Sequence, residues 1–146
     1  MDLMNRSLIF PFTEERSDDG SSILVPRAKV YVDHKGKRTQ KFDAIIDSGS
    51  EITLIPYGVA TYLNLPQKKR IRLEGISGVT TGILSETNLI FNASQGTEIL
   101  FNVPILIGDW PDIILGRKAV FDAFRITFTQ LHRLIEMQRM KETAIA

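Results

Sequence analysis

Asp47-Ser48-Gly49-Ser50, entered from the apolar run Ala44-Ile45-Ile46, is the stretch on which the fold of this chain turns. It sets a carboxylate and two hydroxyls on a glycine turn at the exit of a hydrophobic strand. Burying an ionised carboxylate is costly unless hydrogen bonds or a partner compensate, so an Asp here is a candidate for a tuned proton affinity. Gly49 lets a backbone amide approach the carboxylate, and the hydroxyls of Ser48 and Ser50 can brace the turn or bond the acid. The tetrapeptide alone is equally compatible with an ordinary Asx turn.

A second landmark is Pro111-Asp112-Ile113-Ile114-Leu115-Gly116-Arg117, another apolar run ending in glycine, with a short helix predicted over Lys118 to Phe124. Between the two lies Gly75-Ile76-Ser77-Gly78. In this order the three elements resemble the retropepsin family, the single-domain aspartic proteases typified by retroviral proteases and also found in cellular forms. In that family an apolar strand delivers Asp-Thr/Ser-Gly, a glycine-bearing flap follows, and an apolar-apolar-Gly strand with a trailing helix closes the core. The matching residues are Asp47-Ser48-Gly49, Gly75-Ile76-Ser77-Gly78 and Ile114-Leu115-Gly116-Arg117, and the resemblance runs from about Ile23 to about Phe128. It implies a mainly β, retropepsin-like acid protease barrel with one or two short helices, active as a symmetric homodimer.

Composition fits one such domain. At 146 residues the chain is long enough for one core, and its 43% hydrophobic and 24% charged content is that of a soluble globular protein. No apolar stretch approaches the roughly 18 residues needed to span a bilayer, so no membrane partner is expected. A net charge of +1 gives no general reason to expect nucleic acid, and Lys68-Lys69-Arg70 with Arg72 reads as a solvated loop and strand face. The absence of cysteine excludes disulfides, thiolate zinc sites and a cysteine nucleophile. Residues 1–12 lack a basic region followed by a long apolar core, so a cytoplasmic location is expected and Asn92-Ala93-Ser94 reads as a chance sequon.

Short strands separated by Gly, Asn and Pro signals describe the organisation. Ser7 to Phe10 is a candidate first strand, and the polar stretch Thr13 to Ser22 is a loop. Ile23 to Val32 and Arg38 to Ile46 form a hairpin that delivers Asp47. Ile52 to Ile55 is a further strand. Pro56 then suits the first turn of a helix reaching about Leu63 and stopped by Asn64-Leu65-Pro66. Arg70 to Leu73, Gly82 to Phe91 and Glu98 to Ile107 are strands, and Arg125 to Thr129 with Arg133 to Met137 is a terminal hairpin. The expected division is an N-terminal arm over 1–22 that can supply an interface strand, a protease domain over 23–137, and a tail over 138–146. Which terminus forms an intersubunit sheet stays open.

The resemblance carries a chemistry with it. Two carboxylates about 3 Å apart cannot both ionise cheaply, so they share one proton and act as acid and base on a water and a peptide carbonyl. This chain holds one Asp-Ser-Gly, and neither Asp109 nor Asp112 stands in a second such turn. The second carboxylate has to come from another copy, which makes a homodimer with an Asp47 dyad a requirement of the enzymatic reading. The resemblance implies that Asp47 is catalytic, that Ser48 locks the two turns across the dyad, and that Gly49 leaves room for substrate backbone. Ser50 stands where retroviral members commonly have alanine. Its hydroxyl is expected to bond the carboxylate and shift activity toward acid. Glu51 and Arg117 are the expected structural ion pair. Gly75, Ile76, Ser77 and Gly78 form the expected flap tip, with Ile76 or Val79 touching a polypeptide substrate that binds extended, its side chains in apolar pockets partly lined by Ile114.

Other chemistries find no support in the sequence. His34 and His132 fall in predicted turns, no serine elbow occurs, and no His/Asp/Glu cluster has metal-ligand spacing, so neither metal nor cofactor is expected. The alternative to an aspartic endopeptidase is a catalytically silent retropepsin-like domain used for dimerisation or peptide binding.

Overall fold

The computed structural model describes residues 7–75 and 78–140. Within them the chain forms thirteen strands, of which six close into a barrel. The barrel strands are β4 (Arg27–His34), β6 (Phe42–Ile46), β7 (Thr53–Pro56), β9 (Gly78–Ala93), β10 (Gly96–Gly108) and β11 (Ile114–Leu115). Each pairs with the next in the order β4-β6-β11-β7-β10-β9, and β9 returns to β4 through Val30↔Phe91 to Asp33↔Asn88. Closure leaves none of the six with an open edge along its full length, which protects short strands from pairing with other chains.

Period-two alternation fills the interior. Ala28, Val30 and Val32 of β4, Ala44 and Ile46 of β6, Leu89 and Phe91 of β9, Val103, Ile105 and Ile107 of β10, and Leu115 of β11 are all buried. A smaller sheet, in the order β1-β13-β12, packs outside this wall. It consists of β1 (Ser7–Pro11), β12 (Phe124–Thr129) and β13 (Leu134–Arg139). Phe124 meets Phe91 edge-on with ring centroids 5.2 Å apart, and Leu8, Phe10, Ile135 and Met137 complete the contact layer. Thus β1, which lies within the expected arm of residues 1–22, is paired with β13 from Ser7↔Gln138 to Pro11↔Leu134 and contributes two core side chains.

Two further hairpins stand on the barrel. β2 (Thr13–Arg16) and β3 (Ser22–Val25) form a separate two-stranded sheet, so the first half of the polar stretch expected as a loop is strand, and residues 17–21 are the turn that joins the two. Pro26 divides β3 from β4, where the sequence pattern predicts one continuous strand, because proline supplies no ladder donor. Arg27 ties this hairpin down: Nε and Nη2 donate to the two carboxylate oxygens of Glu15 at 2.7 and 3.0 Å, and Nη1 donates to the Asp43 carbonyl. The second hairpin joins β8 (Lys69–Gly75) to β9, and from Ile71↔Gly82 to Gly75↔Gly78 its strands pair only with each other.

Helix α1 (Tyr57–Leu63) begins after Pro56, buries Val59, Ala60 and Leu63, and ends at Asn64 in the left-handed conformation (φ 53°). The short helix predicted over Lys118 to Phe124 is present in irregular form: it is a π-type element over Arg117–Phe121, one residue earlier than expected, interrupted at Lys118 (ψ 128°) and Ala119 (φ 67°), and β12 starts at Phe124. The amides of Arg117 and Lys118, at the start of the element where no intrahelical acceptor exists, bond the carbonyls of Ser50 and Glu51 at 2.8 and 2.9 Å and fasten it to the Asp47 loop.

Gly116 stands at the tightest crossing. A Cβ there would fall 2.4 Å from the Ile52 carbonyl oxygen and 2.5 Å from its carbon. Gly116→Ala is therefore expected to lower stability by about 3 kcal/mol, measured by urea denaturation, because backbone on both sides has to move. The Glu15–Arg27 bonds give a pH signature. The Arg27 hydrogen bonds hold the Glu15 carboxyl below its ordinary 4.5, so the pair's stabilisation is complete above that pH and is lost as pH falls through the lowered value. Glu15→Gln is expected to lose less stability than the wild type between neutral pH and acid.

Candidate active site

The Asp47 loop is built by three strands. β6 ends at Ile46 and β11 runs parallel beside it through Ile114↔Ile45 and Leu115↔Ile46, while Ile114 also pairs with Leu54 of β7. The loop of residues 47–52 therefore leaves β6 and re-enters the sheet on the other side of β11. Backbone bonds lock it there: the Asp47 amide donates to the Leu115 carbonyl at 3.0 Å, and the Arg117 amide donates to the Ser50 carbonyl. The Gly116 amide donates to Thr53 Oγ1 at 3.1 Å, and Thr53 is fully buried. Sequence reasoning passed over Thr53. Its signal is a lone hydroxyl at the head of an otherwise apolar strand, Thr53-Leu54-Ile55.

Asp47 is exposed, and its Oδ1 accepts a hydrogen bond from the Gly49 amide at 2.8 Å. A Cβ on residue 49 would come 3.1 Å from that oxygen, so glycine is what lets the turn close on the carboxylate. Ser48 is exposed beside it. The structure thus brings Asp47, Ser48 and Gly49 together at an open surface, with Ile114 half-buried in the strand that flanks them.

Two expected contacts are replaced by others. Ser50 Oγ donates to the Ile52 carbonyl at 2.7 Å instead of reaching the Asp47 carboxylate, because the loop's tight return places that carbonyl closer. This removes the reason for expecting acid-shifted activity. Glu51 and Arg117 are not joined: Arg117 Nη1 donates to the Ser48 carbonyl at 2.7 Å, and Glu51 lies 3.9 Å from Lys118 Nζ. The guanidinium is drawn to a backbone carbonyl of the Asp47 turn, which ties β11 to that turn as directly as the expected ion pair would.

Of the flap residues, Gly75 and Gly78 face each other as the last described pair of the β8–β9 hairpin. Ile76 and Ser77 lie outside the described residues. Val79 and Leu73, near this end of the hairpin, are 51% and 38% exposed, so the projecting hairpin offers apolar surface to an occupant.

The structure thus presents a loop bearing one exposed carboxylate, clamped by a glycine crossing in a six-stranded barrel with a projecting hairpin. No family model matches the sequence, and no curated protein does. Solved structures do resemble it. A retropepsin-like aspartic protease from Rickettsia conorii aligns with a TM-score of 0.55 at 12% identity, over 95% of this chain and 97% of that one. EIAV protease aligns at 0.45 and 17% identity over 67% of this chain and 86% of its own. The retroviral protease-like domain of Ddi1 from Leishmania major aligns at 0.46 and 13% identity, over 83% and 99%. The likeness to the Rickettsia structure, at 12% identity, speaks to fold, and the fold of this chain is that of a retropepsin-like aspartic protease. Among the described residues no helix is long and apolar enough to cross a membrane.

Thr53→Val removes the acceptor of the Gly116 amide while keeping the volume of the side chain. An unpaired buried amide costs about 1–3 kcal/mol. The expected result is a loss of that size in urea denaturation, largely recovered in Thr53→Ser.

Proposed function

We propose that this chain is an aspartic endopeptidase that hydrolyses peptide bonds as a symmetric homodimer, with Asp47 of each copy forming the catalytic dyad. The observation that carries this reading is the exposed Asp47 carboxylate, held by the Gly49 amide on a loop that the Gly116 crossing makes rigid. A rigid, solvent-facing acid on a twofold axis can meet its symmetry mate without rearrangement of either chain.

One proton shared between two such carboxylates gives both catalytic roles. The ionised carboxylate takes a proton from a water whose oxygen bonds the scissile carbonyl carbon. The protonated carboxyl gives its proton to the carbonyl oxygen, and a tetrahedral diol results. Collapse breaks the C–N bond as the leaving nitrogen is protonated, and a carboxylic acid and an amine are released. Water is the nucleophile, so no covalent intermediate forms. Ser48 beside the acid serves to lock the two turns across the axis, Gly49 leaves space for substrate backbone, and Ser50 holds the loop through Ile52.

The substrate is an extended polypeptide. Its backbone adds to the β8–β9 hairpin and to the floor beside Ile114, and its alternate side chains meet Leu73, Val79 and Ile76. Gly75 and Gly78 flank the hairpin tip that closes over it. β1 is an edge strand of the β1-β13-β12 sheet, and we place it at the interface between copies.

The test is cleavage of denatured casein across about pH 3 to 8. Asp47→Asn is expected to lower the rate by about 10³-fold while sedimentation shows the same dimer as the wild type. Specific activity of the wild type is expected to fall on dilution through the dimer dissociation constant. A folded dimer that cleaves nothing at any pH would shift the assignment to a silent peptide-binding domain.

A further inference from the structure

β8 is the last strand of the eight-stranded sheet: from Lys69 to Gly75 it pairs with β9 on one side and, among the described residues, with no strand on the other. Alternate amides and carbonyls along that side are open to a further strand. The opposite end of the sheet offers far less, because β5 (Lys37–Arg38) is only two residues long.

The β8 edge is cationic. Lys69, Arg70 and Arg72 are exposed, and none forms an ion pair among the described residues, whereas Lys68 is held by Glu86 at 2.8 Å. Across the ladder these three stand opposite Leu84, Ile83 and Thr81, which carry no charge, so a carboxylate facing them has to arrive from the open side. Glu74, opposite Val79, is the one carboxylate on the strand, and three cations against one carboxylate leave residues 69–74 at +2. The alternation of a strand also sorts the edge into two faces. Arg70 and Arg72 lie on one face with Glu74, and the half-buried Ile71 and the 38% exposed Leu73 lie on the other with Lys69.

We propose that the β8 edge binds an extended segment of a partner polypeptide as an added strand, with Asp or Glu residues opposite Arg70 and Arg72 and apolar residues between them, beside Ile71 and Leu73. Cross-strand pairs of opposite charge and of apolar side chains stabilise neighbouring strands, and like charges oppose them. A second copy of β8 would bring the same excess of positive charge, which disfavours self-pairing. The strand has no aromatic side chain on which a base could stack, which favours polypeptide over nucleic acid. The inference rests on the proposed function only in adding a polypeptide strand to the β8–β9 hairpin, where it assigns the substrate class: chains whose acidic and apolar residues alternate along β8. The edge works whether the added chain is cut or only held.

The experiment uses the full chain carrying Asp47→Asn, so that cleavage does not consume the probe. The probe is a fluorescein-labelled peptide of alternating Glu and Val, titrated by anisotropy. Saturable binding is expected, together with slowed hydrogen exchange of the β8 amides. Binding should weaken about tenfold in the combined Arg70→Ser and Arg72→Ser variant and about tenfold when Gln replaces Glu in the probe. Both substituted positions are exposed, and far-UV circular dichroism checks that the variant keeps its fold. Equal binding of a peptide with the same Glu and Val gathered into two blocks, or of the alternating peptide N-methylated along its backbone, would reduce the edge to a general anion patch and overturn the proposal. So would no binding, unchanged exchange of the β8 amides, tighter binding of a single-stranded oligoribonucleotide through the same arginines, or self-association that the arginine substitutions abolish. Probe binding with all these controls met, by a chain whose wild type cleaves no casein, would set aside the proposed activity and support this inference.

Discussion

The crossing of β11 against the start of β7, where Gly116 passes over Ile52, is the constraint on which the rest of the molecule depends. Two backbones can approach this closely only where one residue has no side chain. The approach lets β11, a strand of two residues, pair with both β6 and β7 and so bridge them into one wall. Without that bridge β6 and β7 would be neighbours in sequence but not in the sheet, and the barrel would stay open between them. The Asp47 loop is the strap around the bridge, held by the amides of Asp47, Gly116 and Arg117. Folding of the barrel and placement of the acid are therefore one event. The carboxylate cannot be moved without loosening the wall that supports it.

β9 carries a second consequence. Its first five residues, Gly78 to Gly82, pair with β8 alone, its middle enters the ladder with β10, and its inner part also closes the barrel on β4. A force on the hairpin tip is therefore transmitted along one continuous strand into the wall. Gly82 marks the changeover, where the strand packs so closely on Leu106 that a Cβ would come 2.6 Å from its Cγ. From Gly82 outward the hairpin's two strands have no neighbour but each other among the described residues, so its attachment to the wall lies entirely at its base.

Much of this was legible in the sequence because it rests on local patterns. Alternation at Ala28, Val30 and Val32 marked β4. Pro56 and Asn64 bounded the helix, and an apolar run into Asp-Ser-Gly and another into Gly-Arg marked the two halves of the crossing. What was not legible rests on competition between distant groups. The segment after Gly116 has helical composition, yet Lys118 and Ala119 leave helical backbone angles as it is fastened to Ser50 and Glu51, and no pattern within residues 117–124 reveals that. Ser50 and Arg117 likewise had two acceptors each within chemical reason, and the backbone carbonyls of Ile52 and Ser48 won both. Thr53 was missed because a buried threonine in a strand resembles any β-branched filler until its partner, an amide 63 positions away, is known.

Within a single chain the Asp47 turn is chemically ordinary: one exposed carboxylate, one amide donor and solvent around the rest. Nothing in that environment by itself makes an acid and a base of one group. A second carboxylate brought to about 3 Å would change this, since the repulsion between two like charges is what forces a proton to be shared. The function proposed for the protein is thus a property of a surface that has to be rigid before it is paired. The Gly116 crossing fastens the loop inside each chain, whereas Ser50, turned inward to Ile52, contributes to the loop and leaves the carboxylate's second oxygen to a group outside it, under the proposed function the partner's carboxylate.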